Sequence, residues 1–323
     1  MVEYNAITML EKPPANYKEL HDQLNKEFYE HYDVDYFNNK AIFLAGMLAN
    51  PDDYLEVLAK GFKIGKIKVG AMDKTDTKWT KDFAKQELVI NSYHSIESFF
   101  RLLFAHIEYP ECPWLGVLEL GDFKEFKKRI KDLMERKYFK QDHEKNLTTV
   151  LLGSRNSLKQ ISDEDWEKNV KNIVDLVDRL GHDILSTPDY NVFKHGAALF
   201  NTELGFQLAN VIKVDKQDSF MFLSTKTEKQ SDKIVKKFFK TYKFMKWEIR
   251  FATSILVTHL ITNMLNIHAL RLGLKDNANV SGFHQYDLHQ MLETGIITDS
   301  ISEGLFEQHH PRSKSKKPKK RKR

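Results

Sequence analysis

The stretch PDYNVFKHGAALF, residues 188–200, gathers Tyr190, Asn191, Lys194 and His195 at what reads as the start of a helix. With Thr187 or Asp189 as the cap, Asn191 and His195 stack one turn apart on one face, and Tyr190 and Lys194 do so on the neighbouring strip. A first helical turn also offers unpaired N–H groups and the positive end of the macrodipole, which favours an anion. An imidazole that titrates near neutrality moves protons in phosphoryl transfer, and an ammonium holds the phosphate. A carboxamide can orient a 2′-hydroxyl or a phosphate oxygen. These are the ingredients of RNA cleavage without a metal ion. The same residues also suit a plain capping arrangement, with Asn191 and Tyr190 packing locally and Lys194 in water.

A second candidate lies in SYHSIESFFRLLFAHI, residues 92–107, where His94, Glu97 and Arg101 fall on one continuous helical strip. Glu97 and Arg101 stand in the favourable i, i+4 order, so a simple ion pair accounts for them. Their neighbours Ile96, Phe99, Phe100, Leu102, Leu103 and Phe104 are strongly apolar. A charged pair inside so apolar a helix needs partners or a purpose. Arg101 and His106 are separated by four residues, but on a straight helix they point about 140° apart.

Together the two segments resemble the HEPN superfamily, helical domains that include many prokaryotic ribonucleases of toxin–antitoxin, abortive-infection and CRISPR systems. The family signature is an Arg, four to six intervening residues, then His, often as R-N-x-x-x-H near the start of the last core helix. YNVFKHG fits it from Asn191 to His195, with Tyr190 where the Arg is expected, and Glu97 resembles the acidic residue of an earlier core helix. The resemblance covers residues 75–200. It implies a metal-independent endoribonuclease of a defence or toxin system, acting as a homodimer and needing no cofactor. His195 would be the acid/base, Asn191 would orient the substrate, Lys194 or Arg101 would neutralise the phosphate, and Tyr190 and His94 would bind substrate. The missing Arg favours the alternative, a non-catalytic scaffold that holds RNA, a nucleotide or a protein partner.

The elements that must position these residues are mostly helical by their spacing. Tyr17, Leu20, Leu24, Phe28 and Tyr32 mark an amphipathic helix, and two more follow before KIGKIKVGAMDKTDT, residues 63–77, which reads as a loop with room for a short strand. A long helix is expected over residues 76–107, with further helices in DFKEFKKRIKDLMERKYF and DEDWEKNVKNIVDLVDRLGHDIL. FQLANVIKV and SFMFLSTK, separated by the polar DKQD, read as a β-hairpin. From about residue 229 to 272 the chain reads as helix again, basic and aromatic at first and then apolar. Lysine–aromatic interleaving in KIVKKFFKTYKFMKW can bind RNA, but a helix with rings inside and lysines outside has the same string. The fold class expected is mainly α, a multi-helix HEPN-like bundle with a small β-hairpin before a long C-terminal helix. The regions are an N-terminal helical region (1–74), the HEPN-like core (75–202), the hairpin with C-terminal helices packing on it (203–310), and a disordered basic tail (311–323).

The net charge is +5, yet the last twelve residues, RSKSKKPKKRKR, carry nine positive charges and no negative one. The body is therefore at 5 − 9 = −4, so nucleic-acid binding outside the tail must be local. The tail itself would contact phosphates without sequence preference and in a salt-dependent way. Cys112 is the single cysteine, which excludes an internal disulfide and a cysteine-cluster metal site. His284 and His289 are five apart, the wrong spacing for one helical face, and no metal site is expected. The N-terminus lacks a secretory pattern and no apolar run is long enough to span a membrane, so a cytoplasmic location is expected. Phosphate-loop, dinucleotide and nucleophile-elbow motifs are missing, which argues against ATP hydrolysis, dinucleotide chemistry and serine-esterase activity.

Overall fold

The computed structural model describes residues 17–71, 77–155, 161–185, 200–208, 212–230, 233–244, 246–277, 279–284, 288 and 300–311. Among them the chain is mainly helical. The helices are α1 (Tyr17–His31), α2 (Tyr36–Ala49), α3 (Pro51–Lys60), α4 (Thr77–Glu108), α5 (Pro113–Glu119), α6 (Phe123–Met134), α7 (His143–Leu151), α8 (Asp163–Leu185) and α9 (Trp247–Arg271). The strands are β1 (Phe62–Ile64), β2 (Ile67–Val69), β3 (Phe200–Leu208), β4 (Ile212–Gln230), β5 (Lys233–Phe244) and β6 (Ser300–Pro311). No helix among the described residues is long and apolar enough to cross a membrane.

Two compact units interleave along the chain: residues 1–40, 94–185 and 254–288 form the first, and residues 41–93, 186–253 and 289–323 the second. The first unit is helical. Its centre is the second half of α4, where Phe99, Phe100, Leu103 and Phe104 are fully buried. Apolar residues all round a helix leave it no stable place but an interior. Phe104 packs edge-on against Phe126 of α6 at 6.3 Å and, tilted, against Tyr138 at 5.1 Å. Helix α6 starts on Asp122, whose carboxylate accepts from the backbone N–H of Lys124 (2.8 Å) and Glu125 (2.9 Å). It then buries Phe126, Ile130 and Leu133. Helix α8 begins with a capping box, Ser162 accepting from Asp165 N while its hydroxyl donates to the Asp165 carboxylate. A Cβ on Gly181 would lie 2.6 Å from Met134 Sδ, so α8 meets α6 at a distance only glycine allows.

The 279–284 segment of this unit has no regular structure of its own, and asparagines satisfy its backbone. Asn169 Oδ1 accepts from Phe283 N and, at 2.9 Å, from His284 N. Asn172 donates to the Phe283 carbonyl at 2.8 Å. Asn263 exchanges two 2.8 Å bonds with Ser281. Asn266 reaches Asn279 O at 2.8 Å. Carboxamides carry both donor and acceptor, so they can replace a missing strand partner.

The second unit holds the sheets. β1 and β2 form a two-stranded hairpin with Ile64 opposite Ile67. It leaves α3 at Gly61 (φ +67°), where a Cβ would meet Val69 O at 2.7 Å. The hairpin expected before the long C-terminal helix is present, but it is longer and belongs to a four-stranded antiparallel sheet in the order β3-β4-β5-β6. Two local expectations are corrected. DKQD, expected as the turn, lies inside β4, with Gln217 opposite Leu204 and Asp218 opposite Glu203, next to a register shift. Residues 233–244, expected as the first half of the long helix, are strand β5, and the helix starts at Trp247. Ile234, Val235 and Thr241 are β-branched, Phe238, Phe239 and Tyr242 are aromatic, and both classes suit a pleated, half-buried surface. The C-terminal region also adds β6, which pairs with β5 from Ser300 to Pro311.

Replacing Asn169 with Ala strips two backbone N–H groups of their acceptor in the interior. The expected loss is about 2–3 kcal/mol, read as a lower urea midpoint with little change in slope.

Candidate functional site

Helix α4 brings His94, Glu97 and Arg101 onto one strip. Arg101 Nε donates to Glu97 Oε1 at 2.9 Å, and Nη2 lies 2.9 Å from the same oxygen. Nη1 donates to the Leu120 carbonyl at 2.8 Å, and the guanidinium carbon sits 4.7 Å over the Phe126 ring. The Glu97 side chain is 7% exposed and that of Arg101 21%. These contacts answer the question the sequence raised about a charged pair in an apolar helix: the guanidinium ties α4 to the end of α5 and to α6. His94, one turn earlier, is half-buried. Tyr190, Asn191, Lys194 and His195 lie outside the described residues.

Arg101 and His106 point to different neighbours, as their spacing requires. His106 is buried, its Nδ1 donates to the Leu102 carbonyl at 2.7 Å, and its Nε2 therefore accepts from the Tyr29 hydroxyl at 2.9 Å. His268 of α9 packs edge-on against it with ring centroids 4.8 Å apart and donates from Nε2 to the Pro110 carbonyl at 2.7 Å. Tyr29 stacks on His268 at 6.2 Å. Burial, then the neighbouring His268, hold His106 down at about 3. Burial lowers His268 too. Both rings are neutral near pH 7, and every contact described joins them to protein atoms. They fasten α1, α4, α9 and the turn before α5 in the first unit. Among the described residues, no group of three or more His, Cys, Asp or Glu could hold a metal ion.

The arrangement best suited to binding lies on β4 and β5. Antiparallel register puts Phe222 opposite Thr241 and Thr225 opposite Phe238. Phe220, Phe222, Val235 and Thr241 are buried, whereas on the other face Leu223 is 63% exposed and Thr225 and Thr227 are open to water. On that open face β5 presents Lys236, Phe238, Lys240 and Tyr242 in succession, all half-exposed. Lys236 Nζ stands 5.2 Å from the Phe238 centroid and Lys240 Nζ 5.3 Å from that of Tyr242. The two rings are four residues apart, about 13–14 Å along an antiparallel strand. From 219 to 228 and 235 to 243, the open-face positions of β4 and β5 include no carboxylate, while β6 brings Glu303 opposite Lys240. The buried-face register pairs Lys226 with Lys237, and there Glu228 offsets them, 3.9 Å and 3.2 Å from the two ammonium groups. The lysine–aromatic interleaving was visible in the sequence; a period of two would have identified the face, and a helical reading hid it.

Comparison with protein-family models, curated proteins and solved structures returned no match.

Two outcomes are expected. Arg101→Ala leaves the Glu97 carboxylate without its guanidinium and costs about 2–3 kcal/mol in urea unfolding, and an Arg101→Met, Glu97→Gln double variant costs less. The second concerns pH. His106 and His268 bind protons less readily folded than unfolded, where imidazole titrates near 6.5. Their stability contribution is complete above that value and is lost as pH falls from there toward about 3. The acid-side fall in unfolding midpoint should flatten in His106→Gln.

Proposed function

We propose that this protein binds single-stranded RNA on the open face of the β4–β5 ribbon. The observation that carries the reading is the succession Lys236, Phe238, Lys240, Tyr242 on a water-exposed sheet face. Flat rings on such a face stack unpaired bases without regard to sequence, and ammonium groups beside them neutralise the backbone. A duplex hides its bases in the stack and cannot use the rings. A body at −4 makes the same point from the other direction, since RNA is held where cations are concentrated and not across the whole surface.

A second reading keeps the HEPN-like activity: cleavage of the bound RNA with His195 as acid/base, Asn191 orienting and Lys194 at the phosphate. The spacing within YNVFKHG favours it. The engagement of Arg101 with Glu97 and the Leu120 carbonyl favours the non-cleaving scaffold, because that guanidinium is already committed.

One experiment separates these readings. A labelled single-stranded oligonucleotide is titrated in EDTA with the full chain, with Phe238→Ala and Tyr242→Ala, with the chain lacking 312–323, and with His195→Ala. Each ring variant should weaken binding by about 10-fold or more at unchanged salt dependence. Tail removal should reduce the salt slope and leave ring-dependent binding in place. Ring variants that bind like the unaltered chain overturn the sheet assignment. Products ending in a cyclic phosphate, lost in His195→Ala, establish cleavage; intact RNA leaves the binding reading alone.

A further inference from the structure

The geometry points to a second, separate site: a groove beside Trp166 that binds a nucleoside monophosphate, free or as the 5′-terminal residue of an RNA. The groove belongs to the helical first unit and encloses about 470 Å³, lined by α7, residues 153–155, the first turn of α8 and the last turn of α9. This is within the size range of small-ligand pockets.

Its chemistry is two-sided. Trp166 supplies an indole and Leu270, 39% exposed, an aliphatic surface facing the same space. Lys145, Arg155 and Arg271 supply three cations, and no carboxylate is among the described residues that line the groove. Arg271 spends one of its donors on the Thr149 carbonyl at 2.7 Å, which fixes the guanidinium at the wall. Arg155 is partly offset by its ion pair with Asp163, so Arg271 and Lys145 carry the anion. Past Trp166 the charge reverses: a second groove of about 250 Å³ is lined by Glu144, Glu167 and Asp175 with a single lysine, Lys171. The indole thus divides a side that accepts a phosphate from a side that repels one.

A bare anion has no use for an indole and an exposed leucine. An uncharged aromatic has no use for three cations. A flat ring carrying a phosphate uses both, with the base against Trp166 and the phosphate between Arg271 and Lys145. This inference does not rest on RNA binding by the sheet. The cations, the indole and the aliphatic wall are all first-unit residues, whereas β4 and β5 are in the second.

The test titrates adenosine 5′-monophosphate, adenosine and inorganic phosphate into the full chain by calorimetry. The monophosphate should bind at least about 10-fold more tightly than either fragment. Trp166→Ala should weaken it about 10-fold, with Trp166→Phe recovering part of the loss. Lys145→Gln and Arg271→Gln should each weaken it while leaving adenosine unchanged. Among the described residues Lys145 makes no side-chain hydrogen bond or ion pair that its removal would break, so that variant reads binding even if Arg271→Gln unfolds. Monophosphate binding no tighter than phosphate or adenosine, or undiminished in Lys145→Gln and Trp166→Ala, overturns the site. The two sources are told apart with 5′-phosphorylated and 5′-hydroxyl oligonucleotides in the Phe238→Ala background. A preference for the phosphorylated end assigns an RNA terminus; equal binding with the mononucleotide still bound assigns a free nucleotide. Loss of sheet binding leaves the calorimetric result untouched, so either site can fail alone.

Discussion

Antiparallel pairing of β4 with β5 is the constraint on which the functional reading depends. Period-two alternation sends Val235 and Thr241 to the buried side and Lys236, Phe238, Lys240 and Tyr242 to the other. Shift the pairing by one residue and the burial that holds the ribbon would require Lys236 and Lys240 to be desolvated, so the apolar demand of one face fixes the display on the other. The Ser224–Thr241 hydroxyl bond at 2.6 Å satisfies polar groups on the buried side and adds a register-specific link. The exposed rings cannot turn inward without taking Phe222 and Val235 out. The proposed binding and folding would therefore constrain the same twelve-residue strand, with opposite requirements on alternate positions.

The helical unit solves a different problem, that of burying many polar groups among phenylalanines. Arg101 satisfies Glu97 and an orphaned carbonyl near the end of α5. His106 and His268 cap carbonyls of Leu102 and Pro110, and asparagines substitute for strand partners along 279–284. Each is a polar atom whose partner comes from elsewhere in the fold, so losing one leaves another group unsatisfied, at more than the worth of the bond itself. This explains why residue types associated with catalysis, two histidines and a tyrosine in contact, can be structural. Their carbonyl and hydroxyl bonds occupy the positions a substrate would need.

The helices were readable because their apolar spacing repeats over many turns. Of the residues whose spacing marked α1, Phe28 is buried, and the long helix expected over 76–107 is α4. The strand at 233–244 was not, and the reason is numerical. KKFFKTYKF places rings at 238, 239, 242 and 244, and the first three satisfy i, i+3 and i+4 on a helix as well as i, i+4 on a strand face. Periodicity cannot separate the two, and only the β-branched Ile234, Val235 and Thr241 tip the balance. DKQD was misleading because polar residues mark turns in short hairpins but also occupy the solvated part of a long ribbon. The contacts of Asn169 and Asn172 with Phe283 span over a hundred residues, and no local rule reaches that far. Of the candidate site, the Glu97–Arg101 pairing was legible from i, i+4 spacing, whereas its anchoring on Leu120 and Phe126 depends on tertiary packing.

Charge distribution links the parts proposed to meet nucleic acid. Nine positive charges follow Pro311, and Pro311 itself pairs with Lys233 at one end of β5. The tail is thus rooted one strand spacing, about 4.8 Å, from the strand that displays Lys236 and Phe238. In the proposed binding mode, a basic segment following Pro311 would raise the effective concentration of phosphates near the rings. The tail would contribute charge and reach but no rings, whereas the strand carries rings and lysines together. Salt should weaken the ammonium contacts of both and spare the stacking, which has no counterions to release. On a body at −4, a tail rooted at the end of β6 would add reach to the proposed stacking face without replacing it.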